Sequence, residues 1–374
     1  MVTGSAAGAP WGIDLTAALW RALISLKSST WNKPLVNNII GTADASVSPQ
    51  VQTLRVDEES AGQRLDNFLI RHLKGVPKTH VYRIIRSGEV RVNKGRASPD
   101  TRLVADDAVR LPPVRVSARA LDKAQAIVPE RDFAVMLEDA HLIAVNKPAG
   151  LAVHGGSGVS FGVIEQIRQS MPHASEFELV HRLDRETSGI LLVAKKRSAL
   201  KHLQTQFRER STDKTYLALV RGIWPQRQKV IDLPLQKFLL TNGDGSEGER
   251  RVRVVAPTDP QGMRAITLVK VARLLGDYTL LEVTIKTGRT HQIRVHLASL
   301  GHPILGDDKY GDYDLNKSLQ KTGLRRMFLH AWKLQFRHPA SGELVALNAP
   351  LPPELQNFID HVAPPTPPVG PDCL

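Results

Sequence analysis

One stretch, residues 178–196, constrains the fold of this chain more than any other. Two short apolar runs, Leu179-Val180 and 190–194, flank a polar segment. Their apolar and β-branched content predicts a strand, a tight irregular loop and a second strand. Gly189 would give the backbone room to re-enter the sheet after the loop. The polar segment is therefore expected at the edge of a sheet.

The loop places a carboxylate, Asp184, between Arg182 and Arg185. Nearby opposite charge favours the ionised form of a carboxyl group, and an ionised Asp at a strand edge can act as a nucleophile. The same pattern is also typical of an Asp that caps a turn beside solvated arginines, because structural ion pairs perturb carboxylates too. The residues alone leave both interpretations open.

Three segments in order resemble the motifs of one enzyme family. The loop sequence H-R-L-D-R-E-T-S-G is similar to the signature of the pseudouridine synthases that modify large-subunit ribosomal RNA and related tRNA sites. H-L-I-A-V-N-K-P-A-G from His141 and G-R-T-H-Q-I-R-V-H from Gly288 resemble two further motifs of that family. The resemblance extends from about residue 62 to residue 360. It implies an isomerase that converts uridine to pseudouridine without cofactor or metal.

The resemblance also implies the catalytic residues. Asp184 occupies the place of the catalytic aspartate, and Tyr216, in K-T-Y-L-A-L-V-R-G, matches a tyrosine that lies against the target base. Arg294 matches the arginine expected to hold the aspartate through its bidentate fork. Tyr216 would stack on the base, and its help in removing the C5 proton is a weaker expectation, since a neutral phenol is a poor base. From the residues alone, Tyr216 also fits a core tyrosine at a strand start.

Two features are predicted to be structural rather than catalytic. Lys147, before Pro148 in the first motif, is expected to support an extended turn. His291 and His296 could be taken for zinc ligands, but no third ligand is spaced sensibly, and no metal site is predicted.

Charge points to the partner. The chain of 374 residues carries a formal net charge of +13, which favours a polyanion such as nucleic acid; an acidic membrane surface is the competing partner. No apolar run long enough to span a bilayer occurs in the sequence. The single cysteine, Cys373, excludes a disulfide framework within one chain. It fits a reducing compartment, so a cytoplasmic location is expected.

Residues 62–113 predict a small basic unit of two amphipathic helices and a hairpin that turns at 93–95. The segment resembles the S4 RNA-binding module over nearly its whole length. Its basic side chains would contact phosphates, giving affinity with little sequence reading; a merely solvated basic face is the alternative. The residues predicted to bind RNA, two of them outside this unit, are Arg64, Lys78, Arg83, Arg86, Arg91, Lys94, Arg182 and Arg289.

The predicted fold class is α+β. An S4 domain would precede a synthase domain built on a mixed, mainly antiparallel sheet with flanking helices. The predicted segments are a disordered extension at 1–50, with a docking helix as alternative, the S4 domain at 62–113, a linker at 114–130, the synthase domain at 131–360 and a Pro-rich tail at 361–374. The Gly-rich segment 241–250 departs from the family pattern and predicts a flexible insertion on a hairpin.

Within the family, the chain most resembles the large-subunit synthase C subgroup, which acts on several uridines of 23S ribosomal RNA. The features that carry this resemblance are the basic module and the segments E-R-R-V-R-V and G-H-P-I-L-G-D-D-K-Y-G-D-Y-D. The expected partner is 23S ribosomal RNA or a pre-ribosomal particle, bound by a monomer with no membrane and no small-molecule cofactor. Two alternatives stay open. One is the same chemistry on tRNA, and the other is a non-catalytic RNA-binding or ribosome-assembly protein on the same scaffold.

Overall fold

In a computed structural model of the protein, the strands of the described residues form three separate sheets, and amphipathic helices pack beside them. The structure describes residues 50–362 except 59, 74–75, 115–132, 156–160, 172–173 and 242–246. The predicted extension up to residue 49, nearly all of the linker and the tail from residue 363 lie outside the described residues.

The helices are α1 (Leu65–His72), α2 (Lys78–Arg86), α3 (Val163–Ser170), α4 (Arg197–Glu209), α5 (Gln292–Ser299), α6 (Tyr313–Lys321) and α7 (Pro353–Val362). The first strands are β1 (Gln52–Arg55), β2 (Arg91–Val92), β3 (Gly95–Arg96), β4 (Ala108–Leu111), β5 (Ala134–Glu138), β6 (Leu142–Lys147), β7 (Glu178–Leu179) and β8 (Ser188–Ala194). The remaining strands are β9 (Asp213–Arg221), β10 (Val230–Asp232), β11 (Leu235–Thr241), β12 (Glu247–Val254), β13 (Ile266–Leu275), β14 (Tyr278–Ile285), β15 (Leu329–Arg337) and β16 (Leu344–Asn348).

The first sheet has the order β1-β4-β2-β3 and packs against α1 and α2. Phe68 and Leu69 of α1 meet Val81 and Ile84 of α2 in its core, as the helical spacing of these residues predicts. Strand β1, which was not predicted, pairs with β4 although it lies upstream of residue 62, where the predicted S4 domain begins. A four-residue strand with little alternation gives too weak a pattern to be recognised in the sequence.

The large sheet follows the order β10-β13-β14-β9-β15-β8-β6-β5, with β16 added beside β15 and β7 beside β8. Strands β8 and β15 pair in parallel, and the other pairs are antiparallel. Every residue of β8 is buried, as is typical of a strand covered on both faces. Leu191 and Val193 pack on one face, and Ile190 and Leu192 on the other. The predicted α+β fold with a mixed, mainly antiparallel sheet is confirmed.

Helices cover the two faces unequally. Helix α4 packs on one face through Leu200 and Leu203. Helices α3, α5, α6 and α7 pack on the other, where Ile293 and Leu297 of α5 join the main core. The helix α5 therefore lies against the face to which the Asp184 loop also contributes, through Leu183.

Strands β11 and β12 form a two-stranded hairpin between β10 and β13 in the chain. The hairpin predicted around the Gly-rich segment is present, although residues 242–246 at its tip lie outside the described part. Val252 of β12 packs with Leu235, Ala265 and Val295 in a small core of its own. The hairpin is thereby attached to α5.

Candidate active site

The loop that carries Asp184 runs from β7 into β8 and is held by backbone contacts. The Thr187 amide donates to the Asp184 carbonyl oxygen over 3.1 Å. The Lys147 ammonium donates to the Arg185 carbonyl oxygen over 3.1 Å, and an Arg326 Nη2–H donates to that of Glu186 over 3.4 Å. The loop backbone is therefore held at Asp184 and over the three residues that follow it.

Lys147 is fully buried, and its charge is directed at carbonyl dipoles. Its Nζ also donates to the carbonyl oxygens of Pro148 and Leu151, each over 2.8 Å. A buried ammonium is tolerated only when such groups replace water. These contacts support the structural role expected for Lys147.

Gly189 lies where the loop enters the sheet. Its φ is +112°, and a Cβ placed on it would come within 2.2 Å of the Ala331 carbonyl oxygen. The parallel pairing of Gly189 with Ala331 brings the two backbones this close. Glycine is required because any side chain would separate β8 from β15.

Arg294 of α5 approaches Asp184, but its fork faces another residue. Arg294 Nη1 is 3.5 Å from Asp184 Oδ2. The Nε and Nη2 groups donate to the two carboxylate oxygens of Asp307 over 2.7 and 2.6 Å. The expected bidentate pair between Arg294 and Asp184 is thus wrong in its geometry. Asp307, buried beside α5, fits the fork, whereas Asp184 receives a single longer contact.

Charge keeps this pair ionised despite burial. Burial acts to lower the pKa of Arg294, but the hydrogen bonds and charge of Asp307, together with the charge of Asp184, raise it above its usual value. Burial likewise acts to raise the pKa of Asp307, but Arg294 brings it below the ordinary value. Arg294 therefore presents a permanent positive charge to the Asp184 loop.

Tyr216 of β9 forms a wall of the same site. It is 8% exposed and lies in register between Val283 of β14 and Ala331 of β15. Burial, with a contribution from the charge of Asp184, raises its pKa well above the usual range. Its phenol therefore stays protonated, which argues against Tyr216 as a base.

The sequence raised and rejected His291 as a zinc ligand, and its position beside Asp184 was not predicted. His291 has φ of +54° at the start of α5, and its Nε2 lies 4.0 Å from Asp184 Oδ2. Its Nδ1 lies 2.8 Å from the Tyr310 hydroxyl. His296 instead contacts Thr267 Oγ1. Among the described residues, no cluster of three or more His, Cys, Asp or Glu side chains is placed to hold a metal ion.

Asp184, Tyr216, His291 and Arg294 line one open cavity, whose empty space, together with the solvent at its mouth, is about 460 Å³. The lining includes all three residues implied as catalytic and two predicted to bind RNA, namely Asp184, Tyr216, Arg294, Arg182 and Arg289. A wider cleft opens beside it, lined by His154, Arg250 and Lys309, among others. Arg185 also lines this cleft, where it is paired with Glu186 over 2.8 Å.

The predicted RNA-binding residues within 62–113 differ in how freely they can reach a ligand. Arg64 donates through its fork to Asp66, over 3.1 and 2.7 Å, so its charge is already used within the fold. Arg91 is half-buried. The exposed members of the set are Lys78, Arg83, Arg86 and Lys94. Arg83 and Arg86 lie on the face of α2 away from its buried Val81 and Ile84, and Lys78 is the first residue of that helix.

Comparison with known proteins identifies the family. Residues 141–299 match the family described as RNA pseudouridylate synthase, and residues 63–109 match the S4 domain. The chain is 49% identical, over 316 residues, to the ribosomal large subunit pseudouridine synthase C of Pasteurella multocida, with 84% of this chain and 94% of that protein covered. This chain belongs to the RNA pseudouridylate synthase family. The family predicted from the motifs is confirmed, and the chain is an RNA pseudouridine synthase, an isomerase, with an S4 domain.

Two further proteins are similar to this chain. The ribosomal large subunit pseudouridine synthase C of Escherichia coli K12 is 48% identical to this synthase over 321 residues, which cover 84% of this chain and 98% of that protein. A solved structure, human RNA pseudouridylate synthase domain containing 4, aligns with a TM-score of 0.48 and 28% identity, covering 61% of this chain and 92% of that one. Within the described part of the synthase, no helix is long and apolar enough to cross a membrane.

Proposed function

We propose that this synthase isomerises uridine to pseudouridine at several positions of the 23S ribosomal RNA, as a cytoplasmic monomer. One observation carries the proposal. Asp184, Tyr216 and Arg294 come from distant parts of the chain and line one cavity beside a cleft that contains Arg182 and Arg250. The names of its relatives, each a ribosomal large subunit pseudouridine synthase C, support the choice of RNA.

The reaction requires no group donor and no net oxidation. The N1–C1′ glycosidic bond breaks, the uracil turns, and C5 forms a new bond to C1′. The C5 proton leaves and N1 gains a proton, so the atoms of substrate and product balance. Asp184 either attacks C1′ as a nucleophile or removes a proton from C2′ to begin a glycal route. Both roles need its ionised carboxylate, and Arg294 Nη1 lies 3.5 Å from its Oδ2 atom.

The target nucleotide must leave its stack to reach Asp184, at a cost of roughly a few kcal/mol. The cavity offers apolar walls for an extruded base through Leu329 and Ile285, and the ring of Tyr216 stands beside them. Tyr216 would hold the base by ring contact, while its phenol stays protonated. Phosphate contacts from Arg182, Arg289 and the S4 domain would offset the cost of extrusion.

The decisive experiment compares Asp184→Asn with a matched control, Asp277→Asn, which makes the same change at an exposed turn between β13 and β14. The substrate is 23S ribosomal RNA labelled with tritium at uridine C5. We expect wild type and the control to release tritium and Asp184→Asn to release none, with RNA binding retained in all three. Tritium release by Asp184→Asn would overturn the assignment of Asp184. Absence of release from the wild type would favour the non-catalytic alternative.

A second experiment decides between RNA substrates. Pseudouridines are mapped in total RNA from a strain that lacks the gene. Loss of several positions in 23S ribosomal RNA is the expected result. Loss confined to tRNA would replace the ribosomal assignment with the same chemistry on another RNA.

A further inference from the structure

A chain of polar contacts reaches Asp184 from the β11–β12 hairpin. The Val252 backbone amide of β12 donates to the Tyr310 hydroxyl oxygen over 3.0 Å. The same oxygen lies 2.8 Å from His291 Nδ1, and the two rings meet edge to face with centroids 5.5 Å apart. The far side of the imidazole, Nε2, faces Asp184 Oδ2 at 4.0 Å. Three separate segments of the protein are therefore linked in series, and the last of them, at His291, faces one carboxylate oxygen.

The order of donors and acceptors along these contacts fixes which nitrogen of the His291 imidazole carries the proton. An amide can only donate, so Tyr310 accepts from Val252, and its single hydroxyl proton remains to be donated. Among the described residues, His291 Nδ1 is the other polar atom within hydrogen-bond distance of that hydroxyl. Nδ1 is then an acceptor, and in a neutral ring the proton lies on Nε2. That proton is directed at Asp184.

The surroundings of His291 keep the ring neutral. The charged groups that act on it are Asp184, Arg294, Lys309 and Asp307. Burial, assisted by the two cations, lowers the pKa of His291, and Asp184 opposes this only in part. A neutral imidazole can donate one hydrogen bond to a carboxylate without bringing a second full charge next to Arg294.

We propose that His291 is a positioning residue for Asp184, fixed as the Nε2–H tautomer by Tyr310 and the Val252 amide. The inference rests on the proposed function, because it takes Asp184 as the reacting group. A separation of 4.0 Å is longer than a hydrogen bond. The bond is completed when substrate closes the site, as happens to catalytic hydrogen bonds that are long in the free enzyme.

The proposal has a stereochemical consequence. Arg294 Nη1 and His291 Nε2 both face Oδ2 of Asp184, at 3.5 and 4.0 Å. Two donors on one oxygen fix the plane of the carboxylate and assign its other oxygen, Oδ1, to the reaction. His291 thus complements Arg294: Arg294 supplies a positive charge and one N–H, and His291 supplies the second N–H that the orientation of the carboxylate requires.

Two substitutions at His291 separate orientation from folding. The side-chain amide of Gln extends as far as Nε2, so His291→Gln keeps a donor toward Asp184. The amide of Asn extends only as far as Nδ1, so His291→Asn can meet Tyr310 but not Asp184. Asn tolerates the left-handed backbone at this position better than Gln does. A purely structural role would therefore damage His291→Gln more than His291→Asn.

If His291 orients Asp184, we expect His291→Asn to lose more activity than His291→Gln. The kcat of tritium release should fall about tenfold or more in His291→Asn, the factor expected when a hydrogen bond to a charged group is removed. KM for RNA should stay unchanged, and His291→Gln should remain close to wild type. A wild-type kcat in His291→Asn, or a fall in His291→Gln as large as that in His291→Asn, would overturn the proposal.

The tautomer is measured without substrate, by long-range ¹⁵N–¹H NMR of histidine-labelled protein, with the His291 signal assigned by its loss in His291→Asn. A neutral Nε2–H ring at pH 7 is expected in the wild type, with a mixture of tautomers in Tyr310→Phe. An Nδ1–H or doubly protonated ring in the wild type would refute the proposal. This result does not depend on which RNA is modified or on whether Asp184 reacts, so it fails separately from the proposed function.

Discussion

Arg294 gives two short hydrogen bonds to Asp307 and one longer contact to Asp184. The bonds to Asp307 measure 2.6 and 2.7 Å, against 3.5 Å to Asp184 Oδ2. Arg294 and Asp307 are 3% and 1% exposed, so this pair is a buried part of the fold. Asp307 fixes the arginine, and the arginine then presents one N–H to the carboxylate at the cavity. Asp307 thus sets the orientation of the guanidinium, and the guanidinium places its charge beside Asp184.

Asp307→Asn should therefore lower both stability and activity. Removing one member of a buried ion pair leaves the other charge without compensation, and we expect the free energy of unfolding to fall by about 3 kcal/mol. Tritium release should fall too, although Asp184 is intact. Asp308→Asn is the matched control for stability, because Asp308 is exposed and lies 3.5 Å from the same guanidinium; urea denaturation should show a loss below about 1 kcal/mol. Equal losses in the two variants would contradict the division of roles.

The effect of Asp307 should depend on pH in a defined direction. Although burial acts to raise the pKa of Asp307, Arg294 lowers it in the folded state. The stability it contributes is therefore fully present above the unfolded pKa, about 3.9, and is lost as pH falls toward the folded value. The stability gap between wild type and Asp307→Asn should be constant near neutral pH and shrink below about pH 4. Urea titrations over this pH range test it, and a gap that widens in acid would show that the sign is wrong.

Gly189→Ala should prevent β8 from pairing with β15. The added Cβ would lie 2.2 Å from a backbone oxygen of Ala331 at a φ of +112°, and backbone cannot move aside as a flexible side chain can. We expect a loss of at least about 4 kcal/mol in unfolding free energy, together with loss of activity. Gly276→Ala is the control, with a φ of +58° but no atom within 4 Å of the new Cβ; thermal unfolding should show a cost of only about 1–2 kcal/mol. Similar melting temperatures in the two variants would exclude a steric requirement at Gly189.

Lys147→Met should weaken the loop without removing any group that faces the cavity. Three carbonyl oxygens would lose their donor, including that of Arg185 beside Asp184. We expect a loss of about 3 kcal/mol or more, because each buried unsatisfied acceptor is costly, and a lower kcat from a less ordered Asp184. Lys201→Met, on the exposed side of α4, should leave the melting temperature and kcat near wild type. A normal kcat in Lys147→Met would show that the contact to Arg185 does not order the loop.

The exposed basic side chains of α2 should determine the salt dependence of RNA binding. Replacing Lys78, Arg83 and Arg86 by Ala should reduce the slope of log K against log salt by about one for each phosphate that is no longer neutralised. Arg64→Ala is expected to behave differently, since it leaves Asp66, 2% exposed, without its arginine. It should lower the melting temperature and change the slope less. An unchanged slope in the triple variant would move the RNA-binding surface elsewhere.

Local patterns in the sequence predicted much of the scaffold. The two predicted helices of the S4 unit are present, because each buries apolar residues at the helical period. A strand also lies on each side of the Asp184 loop, as the flanking apolar runs predict. The proximity of Arg294 to Asp184 was implied by family resemblance, not by any local pattern. Asp307 and Tyr310 were missed because their roles arise only when the turn after α5 folds back onto that helix.

Other features were missed for a related reason. The pairing of Arg64 with Asp66 cannot be distinguished in sequence from a free basic face, since both give the same alternation of charge. The contacts of Lys147 and Arg326 with the Asp184 loop join residues far apart in the chain. Such contacts follow from sheet order, which strand patterns alone do not specify.

The order of strands separates the parts of this protein that can change independently. The side chains around the cavity come from four adjacent strands, β14-β9-β15-β8, from the loops beside them and from helix α5. The S4 unit precedes β5 at one margin of the sheet, and the β11–β12 hairpin is inserted beside β10 at the other. Evolution could therefore lengthen, replace or recharge the S4 unit, and so redirect the enzyme to another RNA, while the chemistry at the centre stays untouched. The hairpin is more constrained, because its Val252 amide binds the Tyr310 hydroxyl that contacts His291.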